Sequence, residues 1–274
     1  MTDGSDVRSG NHVALVHRTL VAYSRALTGF STRGALDDRD GIVLCAGGTW
    51  IPMIANTAFR REPGVSPTEL VNRADVFFGR LGRGYTVSIR DNGEDEDLRA
   101  ACLAAGLELF GSETPDMVCA GPLPEPPPPP GIVLRIVDDI EGVRHFADVN
   151  SAAYATYGMP AEVHPDLFDN PSAVLEDRAA HIVLASNEIE PVATALVYES
   201  DGAATVQWVG TRPGSRTSGL GALVTTWVTN LAFSRGASSV SLQASPMGAP
   251  VYLKLGYETV HQHVEYVRMP SRPT

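Results

Sequence analysis

Along the 274-residue chain the spacing of apolar positions changes period several times, and each change marks an element. Val13, Val16, Leu20 and Leu27 recur at roughly helical spacing, which predicts a helix over Val7–Thr28. Strands are expected at Gly41–Ala46 and Pro52–Phe59. Ser66-Pro67-Thr68-Glu69 then opens a helix reaching about Arg80, with Ser66 as N-cap and proline in the first turn. Tyr85–Arg90 alternates as a strand, and Glu94–Ala105 reads as a helix closed by Gly106. Leu107–Phe110 and Met117–Ala120 read as two short strands.

A proline-dominated run from Gly121 to Gly131 interrupts this pattern. It can form neither a helix nor a central strand and stiffens into an extended spacer. A ligand for an SH3-type domain is the other meaning of such a run, but no Arg or Lys flanks it closely. Beyond it, Val133–Val137 reads as a strand and Asp138–Tyr157 as a helix or a broken helix pair. Ala180–Ser186, Pro191–Tyr198 and Ala203–Gly210 are three consecutive strands, followed by a helix at Leu220–Arg235 and a strand at Ser238–Gln243. A short helix at Ala249–Leu255 and strands at Glu258–His261 and His263–Met269 complete the chain. That order belongs to an α+β mixed sheet and not to a regularly alternating doubly wound one. The chain divides accordingly into residues 1–121, a linker over 122–131, and residues 132–274.

One stretch carries chemistry. The apolar strand Thr205-Val206-Gln207-Trp208-Val209-Gly210-Thr211 runs through a Pro/Gly turn into Arg216-Thr217-Ser218-Gly219-Leu220-Gly221, which opens a helix. Leu220, Leu223, Val224, Trp227, Val228 and Leu231 mark one face of that helix, and Gly236 supplies its C-cap. A loop of Arg, Ser and Gly at a helix N-terminus presents unpaired backbone N–H groups at the positive end of the dipole, a receptor for phosphate or pyrophosphate. Taken alone, such a loop is as often a plain tight turn. It lacks the Gly-Lys-Ser/Thr of a Walker loop and the three spaced glycines of a dinucleotide fingerprint.

In context, the strand, Arg216-x-x-Gly219-x-Gly221, helix, strand Val240–Ala244, and then Ser245 through Tyr257 resemble the GNAT superfamily of acyl-CoA-dependent N-acyltransferases. The resemblance covers about residues 131–270, and Tyr252 through Gly256-Tyr257 matches that family's Tyr-x-x-x-Gly-Phe/Tyr signature. It implies that backbone groups of Val209, Gly210 and Thr211 bind the pantetheine arm where two parallel strands splay apart. The N–H groups of Arg216, Thr217, Ser218, Gly219, Leu220 and Gly221 would hold the pyrophosphate. Tyr252 would protonate the leaving thiolate, a fitting match because phenol and thiol are both weak acids. Ser245 stands where many members carry an Asn that contacts pantetheine, and Thr205 where some carry a general-base Glu. Glu199, Asp201 and Glu265 remain as acidic candidates, and His164, His181, His261 and His263 as ring candidates for an acceptor pocket. Tyr154 and Tyr157 are either acceptor contacts or core.

The first half is similar in element order, and Ala104-Ala105-Gly106-Leu107 parallels Leu255-Gly256-Tyr257 and the residues before it. It lacks the Arg-x-x-Gly-x-Gly loop between Phe59 and Leu70, and Cys102 stands where the signature tyrosine would. The expected architecture is therefore two GNAT-like mixed-sheet domains in tandem, the C-terminal one complete and the N-terminal one degenerate. The degenerate copy would pack on its neighbour and shape the acceptor cleft.

Charge and composition narrow the function classes. The net charge is −11; residues 1–121 carry 12 Lys/Arg against 16 Asp/Glu, and the rest 9 against 16. Without a block of basic residues a nucleic-acid footprint is not expected. No run of eighteen apolar residues suggests a membrane span, and the polar acidic opening Met1–Asp6 does not read as an export signal, so a cytoplasmic location is expected. Cys45, Cys102 and Cys119 lack metal-ligand spacing and read as small buried hydrophobes, so no metal is expected. The resemblance implies an N-acetyltransferase that uses acetyl-CoA as cosubstrate and a small amine, amino acid or peptide N-terminus as acceptor. The alternative is a non-catalytic acyl-CoA-binding regulator, and a homodimer stays open for either.

Overall fold

The computed structural model describes residues 4–270 apart from Pro63 and Asp91. The first three residues and the tail after Pro270, and with them part of the opening read for export, lie outside the described residues. Helix α1 (Gly4–Gly29) leads to strands β1 (Ala35–Arg39) and β2 (Ile42–Ala46), a single helical turn α2 (Pro52–Ala55), and β3 (Asn56–Arg60). Next come α3 (Pro67–Arg80), β4 (Tyr85–Arg90), α4 (Glu96–Ala104) and β5 (Glu108–Cys119). The second half begins with β6 (Val133–Ile136) and α5 (Ile140–Tyr154), followed by the short helices α6 (Val163–Leu167) and α7 (Pro171–Glu176). Strands β7 (Ala180–Ser186), β8 (Pro191–Ser200) and β9 (Ala203–Thr211) lead to α8 (Leu220–Ser234). Then follow β10 (Val240–Gln243), α9 (Ala249–Leu255) and β11 (Glu258–Arg268).

All eleven strands join one sheet in the order β1-β2-β3-β4-β11-β5-β10-β9-β8-β7-β6. Only β3–β4 and β9–β10 pair in parallel. At the centre the halves exchange their last strands. The second half's β11 lies between β4 and β5, and the first half's β5 pairs with β10 (Gln243↔Asp116, Val240↔Cys119). Outward from the β5–β11 pair, each half then lays down a parallel pair followed by antiparallel strands. The helix ends preceding the exchanged strands match too. Leu107 N–H donates to Cys102 O (2.9 Å) and Tyr257 N–H to Tyr252 O (3.0 Å), with Gly106 and Gly256 at φ +77° and +106°. These are two mixed-sheet units in tandem, built alike on either side of the β5–β11 pair.

Alternation along the strands separates two faces. Val183, Ala193, Ala195, Val206, Val240 and Leu242 pack under α8, and Ile42, Leu44, Val87 and Ile89 under α3 and α4. The opposite face carries α5–α7 on Ile182, Leu184 and Leu196, and α1 on Val43, Cys45 and Phe59. Helix α1 also reaches β8 and β9, where Tyr23 meets Tyr198 and Trp208. In sheet order β2 and β8 are seven steps apart, ~34 Å at the usual strand spacing. Val21 meets β2 and Tyr23 meets β8, only ~3 Å apart along the helix axis, and a helix is only ~10–12 Å across, so the sheet curls around α1.

Four expectations need correction. Residues 52–55 form a helical turn where the strand Pro52–Phe59 was expected to start, because Pro52 presets the first turn. The two short strands on either side of residues 111–116 are one strand, β5. Pro115 lies within it, its carbonyl accepting from Ala244 N–H (2.9 Å) where β10 leaves the sheet. The pair expected at Glu258–His261 and His263–Met269 is likewise one strand, with bulges absorbing the register shifts. On α8 the buried surface is wider than its apolar stripe. Thr225, Thr226 and Thr229 are buried, while Trp227 and Leu231 are half-buried. The hydroxyls of Thr225 and Thr229 are satisfied by the carbonyls four residues back, at 2.8 and 2.7 Å. Strand β1 and helices α6 and α7 had no clear periodic signal.

Exchanged strands couple the halves energetically. Urea unfolding read by Trp50 alone and by Trp227 alone, with the other tryptophans changed to Phe, is expected to give coincident transitions. Two resolved midpoints would mean that the halves unfold independently.

Candidate functional site

Strands β9 and β10 pair only at Ala204↔Val240, Thr205↔Ser241 and Val206↔Leu242, and then part. The bend lies in β9. Between the pairs Leu196↔Gln207 and Thr194↔Gly210, two residues of β9 face one of β8, a β-bulge. Trp208 lies in it at φ +54°, a region that costs a bulky residue about 1–3 kcal/mol. Past the bulge, Gly210 and Thr211 pair with Thr194 and Ala193 of β8, and the edge of Val209, Gly210 and Thr211 away from β8 has no strand beside it. A side chain at Gly210 would put its Cβ 2.6 Å from Asn150 Oδ1, so this backbone approaches α5 closely only because residue 210 is glycine.

Thr211 leads by a tight turn to the loop Arg216–Gly221. Gly219, at φ +78°, is the N-cap of α8 and brings no side-chain hydrogen bond to it, and the first turn contains no acid. The first backbone N–H groups of α8 therefore point out of the loop at the positive end of the dipole. Helix α3, in the corresponding place of the first half, is sealed instead. Ser66 Oγ accepts from Glu69 N–H, and Glu69 adds a negative charge to the first turn. The Arg216 side chain turns away from the loop. Its guanidinium donates to Ala153 O (2.8 Å) and Thr156 Oγ1 (2.9 Å) at the end of α5, so its charge is drawn away from the loop. Thr217 adopts φ +64°, and the Ser218 hydroxyl donates to Ser215 O.

Tyr252 stands half-buried on α9, the next helix. A Cβ on Gly248 would lie 2.7 Å from its ring, so that glycine makes room for it. Burial, reinforced by the phenols of Tyr154 and Tyr157, pushes the Tyr252 hydroxyl above the ordinary phenol value, so it keeps its proton at neutral pH. The hydroxyl of Ser245 caps the same turn by accepting from Gly248 N–H (3.1 Å). Val209, Gly210 and Thr211 and the loop 216–221 thus follow the last β9–β10 pair on one side of the gap, and Ser245 and Tyr252 follow β10 on the other.

An aromatic cluster surrounds the bulge residue Trp208. Tyr154 lies 5.9 Å from both Tyr157 and Trp208 and 4.9 Å from His164, centroid to centroid. His164 and Trp208 meet edge to face at 5.2 Å. His164 is fully buried with neither ring nitrogen hydrogen-bonded, and burial lowers it to about 4. The other candidates lie elsewhere. Glu199 accepts from Arg235 and lies 3.3 Å from His181 Nε2, and Asp201 makes the β8–β9 turn, both at the far end of β9. Glu265 and His263 face Thr86 and Asp116 near the sheet centre, and His261 lies on the same strand. Thr205 is buried before the strands part. Among the described residues no group of three or more His, Cys, Asp or Glu could hold a metal. The three cysteines are free and buried.

The matching place between β3 and β4 is filled. Their pairing ends at Ala58↔Val87, and from the end of β3 the Arg60 guanidinium crosses to the end of β4. There it donates to Asp95 Oδ1 (2.6 Å), Asp97 Oδ1 (2.7 Å) and Glu94 O (2.7 Å). Arg60 is 4% and Asp95 1% exposed. Burial alone would raise the Asp95 carboxyl, but Arg90 and Arg60 outweigh it and hold it at about 2. Sequence reasoning missed Arg60, Asn150 and Tyr23. The consecutive apolar pair Trp208-Val209, which breaks the strand alternation, was the one available sign of the bulge.

The sequence matches no protein-family model and no curated protein. Solved structures do match. A GCN5-related N-acetyltransferase from Kribbella flavida superposes with a TM-score of 0.68 at 23% identity, over 94% of this chain and 96% of that one. A GCN5-related N-acetyltransferase from Sphaerobacter thermophilus gives 0.62 at 18% identity, over 85% and 78% of the two chains. A tandem GNAT protein from the clavulanic acid biosynthesis pathway gives 0.60 at 16% identity, over 89% and 86%. The chain therefore has the GNAT fold in its tandem form.

Replacing Arg60 by Ala leaves Asp95 with one cation fewer and is expected to cost about 3–5 kcal/mol in urea unfolding. The folded Asp95 value lies below the unfolded value of ~3.9. Its contribution is thus present above that pH and fades as pH falls through about 2. The Arg60→Ala variant should accordingly begin to unfold at higher pH than the parent protein in an acid titration.

Proposed function

We propose that the protein transfers an acyl group, most simply acetyl, from coenzyme A to a primary amine on a small molecule, amino acid or peptide N-terminus. The observation that carries this reading is the pairing of a parted parallel strand pair with an uncapped helix N-terminus at its mouth. An extended pantetheine arm can pair with the free edge of β9 at Val209–Thr211 while its pyrophosphate meets the N–H groups of Arg216–Gly221. A thioester so placed lies near Tyr252.

The reaction is then direct attack of the neutral amine on the thioester carbonyl. A C–N bond forms and the C–S bond breaks. The thiolate takes its proton from the Tyr252 hydroxyl, the ammonium formed on attack gives its proton to water, and the tyrosinate recovers a proton from water. Backbone N–H groups near Gly210 stabilise the oxyanion, and fixed orientation of both reactants supplies much of the acceleration. No side-chain carboxylate among the acidic candidates lies at the cleft, which is consistent with loss of the amine proton to solvent.

Calorimetric titration with acetyl-CoA should give one site per chain, because the β3–β4 cleft is occupied by Arg60 and the β9–β10 cleft is not. Tyr252→Phe is expected to lower kcat about 100-fold while sparing acetyl-CoA affinity. Gly219→Val should weaken that affinity, since φ +78° excludes a β-branched residue. Because the Tyr252 phenol is raised, kcat should show no falling limb below about pH 10. Titration without binding would sink the reading. Binding with unchanged turnover in Tyr252→Phe would remove Tyr252 from the chemistry.

A further inference from the structure

Helix α1 belongs to the first half by sequence, yet Tyr23 projects from it into the second half's cleft wall. The Trp208 indole N–H donates to the Tyr23 hydroxyl, and the Tyr23 ring meets Tyr198 edge to face at 5.8 Å. Trp208 is the residue at positive φ in the β9 bulge. Its ring is held on its remaining sides by His164 (5.2 Å), Tyr154 (5.9 Å) and Phe168 (6.0 Å). Tyr23 is buried, and of these neighbours it is the one that gives the indole N–H its hydrogen bond. An indole N–H in such a seat needs an acceptor, and without one the ring is driven to turn toward a polar group.

We propose that Tyr23 is a positioning residue: it pins Trp208 in the bulge and so holds the free edge of β9 at the angle that admits a pantetheine arm. The half with the filled cleft thereby acts on the half with the open one. This rests on the β9–β10 cleft being the acyl-CoA site. The physical chain is short. Once the Trp208 ring is free to turn about its χ angles, the packing that holds the residue at positive φ is lost, the bulge can relax, and the edge at Val209–Thr211 moves toward the line that β9 would follow beside β10.

The test compares the full protein with Tyr23→Phe, which keeps the ring and removes only the oxygen. Hydrogen exchange across residues 207–211 is expected to quicken about tenfold, and acetyl-CoA affinity to fall by about the same factor. Thr19→Val is the control. It removes a buried hydroxyl from the same helix, one bonded to Ser241 Oγ (3.0 Å), and should leave exchange at 207–211 unchanged. If Tyr23→Phe does not fold, Trp208→Phe reads the same link from the donor's end and should quicken the same amides. Unchanged exchange in Tyr23→Phe, or the same quickening in Thr19→Val, overturns the proposal. Should the parent protein ignore acetyl-CoA, the functional reading fails while exchange at 207–211 still decides whether Tyr23 holds the bulge.

Discussion

The antiparallel pairing of β5 with β11 is the contact on which both halves depend. Each strand is the last of its own half, yet each completes the other's sheet: β11 closes the edge of β4, and β5 closes the edge of β10. Removing either would leave a long row of unpaired backbone groups in the middle of the molecule, where each costs the full desolvation penalty of a lost hydrogen bond. The halves are therefore one folding problem, although the polyproline run between them reads like a spacer between independent domains. The same exchange fixes the direction of every other strand and places both parallel pairs close to the centre.

A parallel pair that parts leaves backbone groups facing a gap, and the two halves resolve this in opposite ways. Between β3 and β4 the gap is filled by a buried cation and two carboxylates, with the helix beyond it capped by its own serine and glutamate. Between β9 and β10 there is no such charge, the capping residue is glycine, and the nearby arginine is drawn off to the end of α5. A buried ion pair contributes little net stability but is costly to break. Arg60 is thus better understood as a stopper with a fixed position than as a source of stability. The two units thus differ at the corresponding place: one leaves the gap between its parallel strands open, and the other fills it.

Much of this was legible in the sequence because the relevant signals are local. The Ser66 cap, the apolar stripe from Leu220 to Val228, the turn glycines at 106, 219 and 256, and the spacing from Arg216 to Gly221 each follow from a few consecutive residues. What was not legible is relational. Nothing near Pro115 or Gln262 announces that two distant strands are neighbours, so each was read as a pair of fragments. Arg60 looked like any arginine at a strand end, because its partners lie 35 and 37 residues away. Asn150 and Gly210 are ordinary alone, and only their approach makes the glycine obligatory.

Helix α1 is the sharpest case of this kind. Its periodicity identifies a helix with a buried face, but an ordinary amphipathic helix buries one stripe against one layer. Here the sheet wraps round it, so residues on several sides are buried against strands from both halves: Val21 on β2, Thr19 on β10, Tyr23 on β8 and β9. A helix so enclosed cannot shift without disturbing several strands at once, since close-packed interiors transmit displacement and do not absorb it. A bulge carrying a bulky residue at positive φ stays in place only where its surroundings over-determine it. In this fold those surroundings include a helix that the second half does not encode.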